Sequence, residues 1–226
     1  MDQGLFQLAL ACGAFVGTHL ALSNPLRAVL VRGLGERGFL AFYVLVSFAT
    51  LGWTIFAFHR AAAGWPLWDG TAPLPWLAAS ILTYAAMVLV IASLGGNPAL
   101  PQANLAGLSA RRPWGVFRVT RHPMMIGIAL WAAAHIIIAP TQRTILLSLS
   151  LILLALAGSW LQDKRKLARN GREWSAWMAR TTFWPDLRQL GALGTTWVVG
   201  LALWLGATAV HSYVAGVPAG VWVLAR

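Results

Sequence analysis

Residues 144–166 read TILLSLSLILLALAGSWLQDKRK: nineteen residues without a charge, then one acid and three cations. A helix of that apolar length rises about 28 Å, close to the roughly 30 Å of a bilayer's hydrocarbon layer. The abrupt switch at Asp163 marks the exit from lipid. The rest of the chain has the same character. Of its 226 residues, 58% are hydrophobic and only 10% are charged, against about 25% charged in an ordinary soluble domain. Mean hydropathy is +0.67. So much apolar surface does not fit inside one globular core, and lipid is the expected solvent.

Working outward, the spacing of apolar stretches predicts six spans near 5–23, 38–58, 76–94, 123–140, 144–162 and 193–213. Ser23-Asn24-Pro25 ends the first and offers Asn24 as the cap of a new helix, although a first helix running on through Asn24-Pro25 is the alternative. Gly95-Gly96-Asn97-Pro98 ends the third. Pro140-Thr141 joins the fourth and fifth tightly, so they should form an antiparallel pair. The expected fold is therefore all-α, a polytopic membrane helix bundle forming a single domain over 1–226. The start, MDQGLFQLAL, reads as the first span rather than a leader, and LALAC lacks the basic segment of a lipoprotein signal.

The net charge of +11 follows the topology. The connections after spans 1, 3 and 5 carry three, four and seven Lys or Arg, fourteen of the 17. Arg60, Arg143 and Arg226 fall on the other side. The positive-inside rule then places the rich loops in the cytoplasm and both termini in the periplasm. Anionic lipid head groups are the expected partners of this charge, and nucleic acid is not. Segment 163–190, DKRKLARNGREWSAWMARTTFWPDLRQL, is too polar to span. Trp174, Trp177 and Met178 share a helical face opposite charges, which predicts a helix lying on the inner membrane surface, as an anchor or as a lid.

Two of the five histidines lie within spans. His19 is in span 1 and His135 in span 4, and an ionisable residue in lipid is a functional candidate or a ring bonded to a backbone carbonyl. His122 and His135 differ by about 140° around the helix and about 20 Å along it, so they do not serve one ligand from one face. On span 1, Gly13 and Gly17 form a small-residue seam suited to close helix docking, with His19 pointing elsewhere. The lone Cys12 excludes intrachain disulfides, and the spans hold no Asp or Glu, against three or four ligands at a zinc site. Two neutral imidazoles suit haem, where the porphyrin supplies four nitrogens. Depth counting pairs His19 with His122.

Certain motifs carry a resemblance. These are H-x-x-x-S-N-P-x-R from His19 to Arg27, G-E-R-G-F at 35–39 with a following Tyr43, and T-R-H-P-M-M at 120–125 with W-x-x-x-H from Trp131 to His135. In these the chain resembles the NnrU family of bacterial membrane proteins, a family associated with denitrification that also includes 15-cis-ζ-carotene isomerase, a haem b enzyme. The resemblance implies a bacterial inner-membrane protein that binds haem b through His19 and His135, with His122 as the alternative ligand. It also implies redox-dependent cis-trans isomerisation of a lipophilic polyene, or else a non-catalytic accessory role in nitric oxide metabolism. Arg27 and Arg121 are then the candidate partners of the haem propionates, and Trp131 is placed to stack near the ring. A more distant similarity joins RHPMMIG (121–127) and NGREWSAWMARTTFWP (170–185) to isoprenylcysteine carboxyl methyltransferases, which implies S-adenosylmethionine as the alternative cofactor. Here Met125 stands where that pattern has Tyr, and Asp163-Lys164 where it has paired glutamates. On the plain structural reading, Arg121 snorkels to phosphate, His122 caps the helix and Pro123 fills its first turn.

Overall fold

The computed structural model describes residues 2–101 and 103–225; Arg226, assigned above to the outer side, lies outside them. Six helices follow one another: α1 Gln3–Ser23, α2 Arg27–Arg60, α3 Pro73–Ala92, α4 Pro123–Ile138, α5 Gln142–Met178 and α6 Thr196–Ala215. Five are long and apolar enough to cross a membrane, and α4 is apolar but shorter. The chain is an all-helical, multi-pass membrane protein.

α1 stops where the sequence predicts, but Asn24 closes it rather than opening the next helix. Its backbone N–H and its side-chain amide both donate to Leu20 O, and α2 begins only at Arg27. α2 starts well before the expected 38 and bends at Gly35, whose φ of 70° suits glycine alone. The greater departure is α5. Instead of an exit at 163 followed by a separate surface helix, one helix of 37 residues continues to Met178 with a single irregularity at Asn170. Its apolar part, 144–162, makes the span, and the rest projects beyond it. Trp174 and Trp177 are not lipid anchors. Both are completely buried, in a core with Val116, Phe117, Leu105 and Leu108. Their apolar face finds a protein partner, the 97–119 connection, and so does not need the membrane surface.

α5 is the central post, packed against α1 on one side and α4 on the other. α3 joins α4 at a close approach where Gly127 sits against Ala86 and Val90, and Gly200 brings α6 onto Val88. The expected glycine seam on α1 is not used within the chain. A side chain added at Gly13 or Gly17 would meet no neighbouring element within 4 Å, and α1 packs instead through Leu8, Ala11, Cys12, Phe15 and Val16.

Side-chain ties place the connections at two ends. At the basic end, Arg165 donates to Ser23 O, and Lys166 to Pro98 O and Leu100 O. At the opposite end, Arg143 donates to Ala61 O, and Trp68 Nε1 to Ile137 O. The charge-rich loops therefore share one end of the bundle, as the sequence partitions them.

Candidate functional site

Three clusters hold the chemistry-bearing side chains. The first forms where the chain enters α4. A 3-10 turn at Gly115–Arg118 leads into residues 119–121, which are tied to 182–186. Arg121 N donates to Thr182 O at 2.9 Å, Asp186 N to Val119 O at 2.8 Å, and Thr120 Oγ to Phe183 O at 2.6 Å. Pro123 then opens α4 at a position with no N–H to lose.

This pairing points Arg121 and His122 inward at Asp163. Arg121 Nε donates to Oδ2 at 2.8 Å and His122 Nε2 to Oδ1 at 2.9 Å. Arg121 also donates to Thr181 O at 3.3 Å, and the Phe183 ring lies over both residues. His122 is 1% exposed and Arg121 8%. The snorkelling expectation for Arg121 is therefore replaced by a buried ion pair. His122 does hold the cap position, but its ring makes no cap bond. Its Nδ1 is buried without a partner among the described residues. The sequence marks Asp163 as the exit from lipid and as a departure from a distant pattern, but not as the partner of Arg121 and His122.

The second cluster lies between α1, α2 and the basic half of α5. His19 Nδ1 donates to Phe15 O at 2.7 Å, and its ring sits 4.3 Å from Phe15 and 5.5 Å from Tyr43. Ser23 Oγ reaches the Tyr43 hydroxyl at 3.4 Å. Arg27 pairs with Glu36 at 2.9 Å and lies 5.0 Å above the Phe39 ring. One of its guanidinium nitrogens, Nη1, is buried with no protein partner among the described residues.

The third cluster lies toward the opposite end of α4. His135 Nδ1 donates to Trp131 O at 2.8 Å, and the two rings stack with centroids 4.2 Å apart. Trp131 is 44% exposed on the surface of the apolar helix α4.

Each span histidine thus satisfies its Nδ1–H on the carbonyl one turn back and leaves Nε2 as a lone-pair donor. This is the tautomer a metal takes, which leaves each ring chemically competent as a metal ligand. By helical rise the two rings stand at different depths along the bundle. His19 lies four residues from Ser23, a rise of about 6 Å, and His135 thirteen from His122, about 20 Å. Ser23 and His122 are both tied to the same turn of α5, at Arg165 and Asp163. Of the two propionate candidates, Arg121 is committed to Asp163, while Arg27 keeps a free buried donor.

The cap over the basic end adds residues that the sequence did not single out. Burial, with Arg165 beside it, pushes the Lys166 ammonium down to about 8. Glu173 accepts from both Ser109 N and Ser109 Oγ, and these bonds hold its carboxyl below the usual range.

Comparison with known proteins adds a lineage. The 15-cis-zeta-carotene isomerase, chloroplastic, of Zea mays is 35% identical over 71 residues, and so is the protein of that name from Arabidopsis thaliana. The match covers 31% of this chain and 19% of each relative, so the chain spans about a fifth of the length of those proteins. No solved structure matches. The family described as NnrU protein matches residues 7–219, nearly the whole chain, and the protein belongs to the NnrU family.

Proposed function

We propose that this membrane protein binds haem b and catalyses cis-trans isomerisation of a lipophilic polyene such as ζ-carotene. The single observation that carries the reading is the pair of lipid-embedded histidines, each with Nδ1 spent on its own helix and Nε2 left free. The similarity to 15-cis-zeta-carotene isomerases supports the substrate class. Either His19 or His135 is the protein ligand. Arg27 is the propionate partner on the His19 side, because a guanidinium fork with an unused buried N–H matches a carboxylate. On the His135 side, Trp131 offers a flat apolar face to the ring. Bound haem would supply reversible electron donation to the polyene, which loosens a double bond without net oxidation.

The chain's own residues would position the cofactor, an imidazole at the iron and Arg27 at a propionate. The basic end faces the cytoplasm in this reading, on the positive-inside rule, in a bacterial inner membrane. The test is the absorption spectrum of the detergent-solubilised full chain, oxidised and reduced, with His19→Ala, His135→Ala and His122→Ala. A Soret band lost in His19→Ala or His135→Ala supports the reading. A colourless protein from haem-replete cells, or a band unchanged in both variants, refutes it.

A further inference from the structure

We propose that the cavity between the Gly96-Asn97-Pro98 turn and Trp114, at the basic end, binds the phosphate group of an anionic amphiphile. The cavity measures about 370 Å³ and is open on one side. Its polar groups are donors. Asn97, 5% exposed, accepts through Oδ1 from Ala99 N at 2.9 Å. Asn104 accepts from Ala106 N in the same way. Both carboxamide N–H2 groups are left without a protein acceptor among the described residues. Arg111 lines the cavity, and among the described residues its guanidinium has no acidic partner. Among the described residues, none that lines the cavity is acidic. Glu173, which does not line the cavity, is engaged with Ser109.

The walls are built in advance. Gln162 Nε2 donates to Ala99 O, and Lys166 to Pro98 O and Leu100 O, fixing one side. Arg180 donates to Leu108 O and Ser109 O, fixing the other. Trp114 is braced against Phe117 and Trp177. Such a site binds without first ordering its loops. A guanidinium with two carboxamide donors along the same cavity matches a group with several anionic oxygens, which phosphate has. At the lower end of the usual range for ligand cavities, the volume suits a head group and not a long polyene. Leu100 on the rim and Leu94 beside it are exposed, so an acyl chain has apolar surface to follow.

The same chemistry is offered by a phospholipid head group and by free phosphate, and the experiment separates them. Full-length protein in neutral detergent is titrated with dihexanoyl phosphatidic acid, dihexanoyl phosphatidylcholine and inorganic phosphate, and bound molecules are counted by native mass spectrometry. The expected result is one phosphatidic acid per chain, with affinity about tenfold weaker in Arg111→Gln and changed less than about twofold in Arg112→Gln, a neighbour that does not line the cavity. Competition by inorganic phosphate would mean that the phosphate group alone is recognised. Its failure to compete would assign the site to the lipid. Equal binding of phosphatidylcholine, equal loss in the two arginine variants, or no stoichiometric binding of lipid or phosphate overturns the proposal. Because the readout needs no haem, it is independent of the function proposed above.

Discussion

Replacing Asp163 with alanine tests how the basic end is held together. The change removes the only acidic partner of Arg121 among the described residues and the acceptor of the His122 ring. Both side chains are nearly inaccessible, at 10% and 0% exposed. Breaking a buried pair from one side typically costs about 3–5 kcal/mol, and a stranded neutral donor about 1–3 more. The Thr181 carbonyl still accepts from Arg121, and water entering the space left by the carboxylate offsets part of the loss, so about 4 kcal/mol is a fair figure. For a chain of this size each kcal/mol shifts the midpoint by roughly 2–4 °C, giving a fall of about 8–16 °C. The assay is the apparent Tm in detergent by circular dichroism at one fixed scan rate. The triple variant Asp163→Leu, Arg121→Met, His122→Phe removes the charges together and should recover most of the loss. An Asp163→Ala protein within about 2 °C of the parent, or a triple variant no better than the single, would refute the claim that paired burial holds this end.

Two further outcomes follow from packing and charge. Gly127→Ala pushes a methyl group to 2.8 Å from Val90 and 2.9 Å from Ala86 O, and should lower stability by about 1–3 kcal/mol. Gly13→Ala, with open space around it, should be neutral or stabilising, both read by Tm. Lys166 has its folded pKa depressed to about 8, so the unfolded chain binds more protons between about 8 and the ordinary value of 10.5. Stability should therefore rise as pH increases through that window and be lower beneath it, and Lys166→Met should abolish the rise in a Tm series.

The spans were legible because hydropathy needs no partner: α3, α4 and α6 begin and end within three residues of where apolar runs and Pro or Gly place them. The continuation of α5 was not. DKRK reads as an exit from lipid and as the end of a helix, but the helix does not stop there. The spacing of Trp174 and Trp177 revealed a face but not its partner, because the partner is an aperiodic Gly- and Pro-rich connection. His19 and His135 stood out by the cost of placing imidazole in lipid, and the structure meets part of that cost locally, on Phe15 O and Trp131 O. What joins His122 to Asp163 is a contact across 41 residues, and no periodicity within either segment encodes it.

The long α5 also sets a schedule for biosynthesis. Residues 97–122 leave the ribosome ahead of Asp163, Lys166, Glu173 and Trp177, the groups that fasten them. At about 5–20 residues per second, the gap between Arg121 and Met178 lasts several seconds. Through that interval Val116, Phe117 and Trp114 have no indole to cover them and the guanidinium of Arg121 has no carboxylate. Nascent chains halted before Asp163 should consequently be cut by protease within 97–122, while those extended past Met178 should resist.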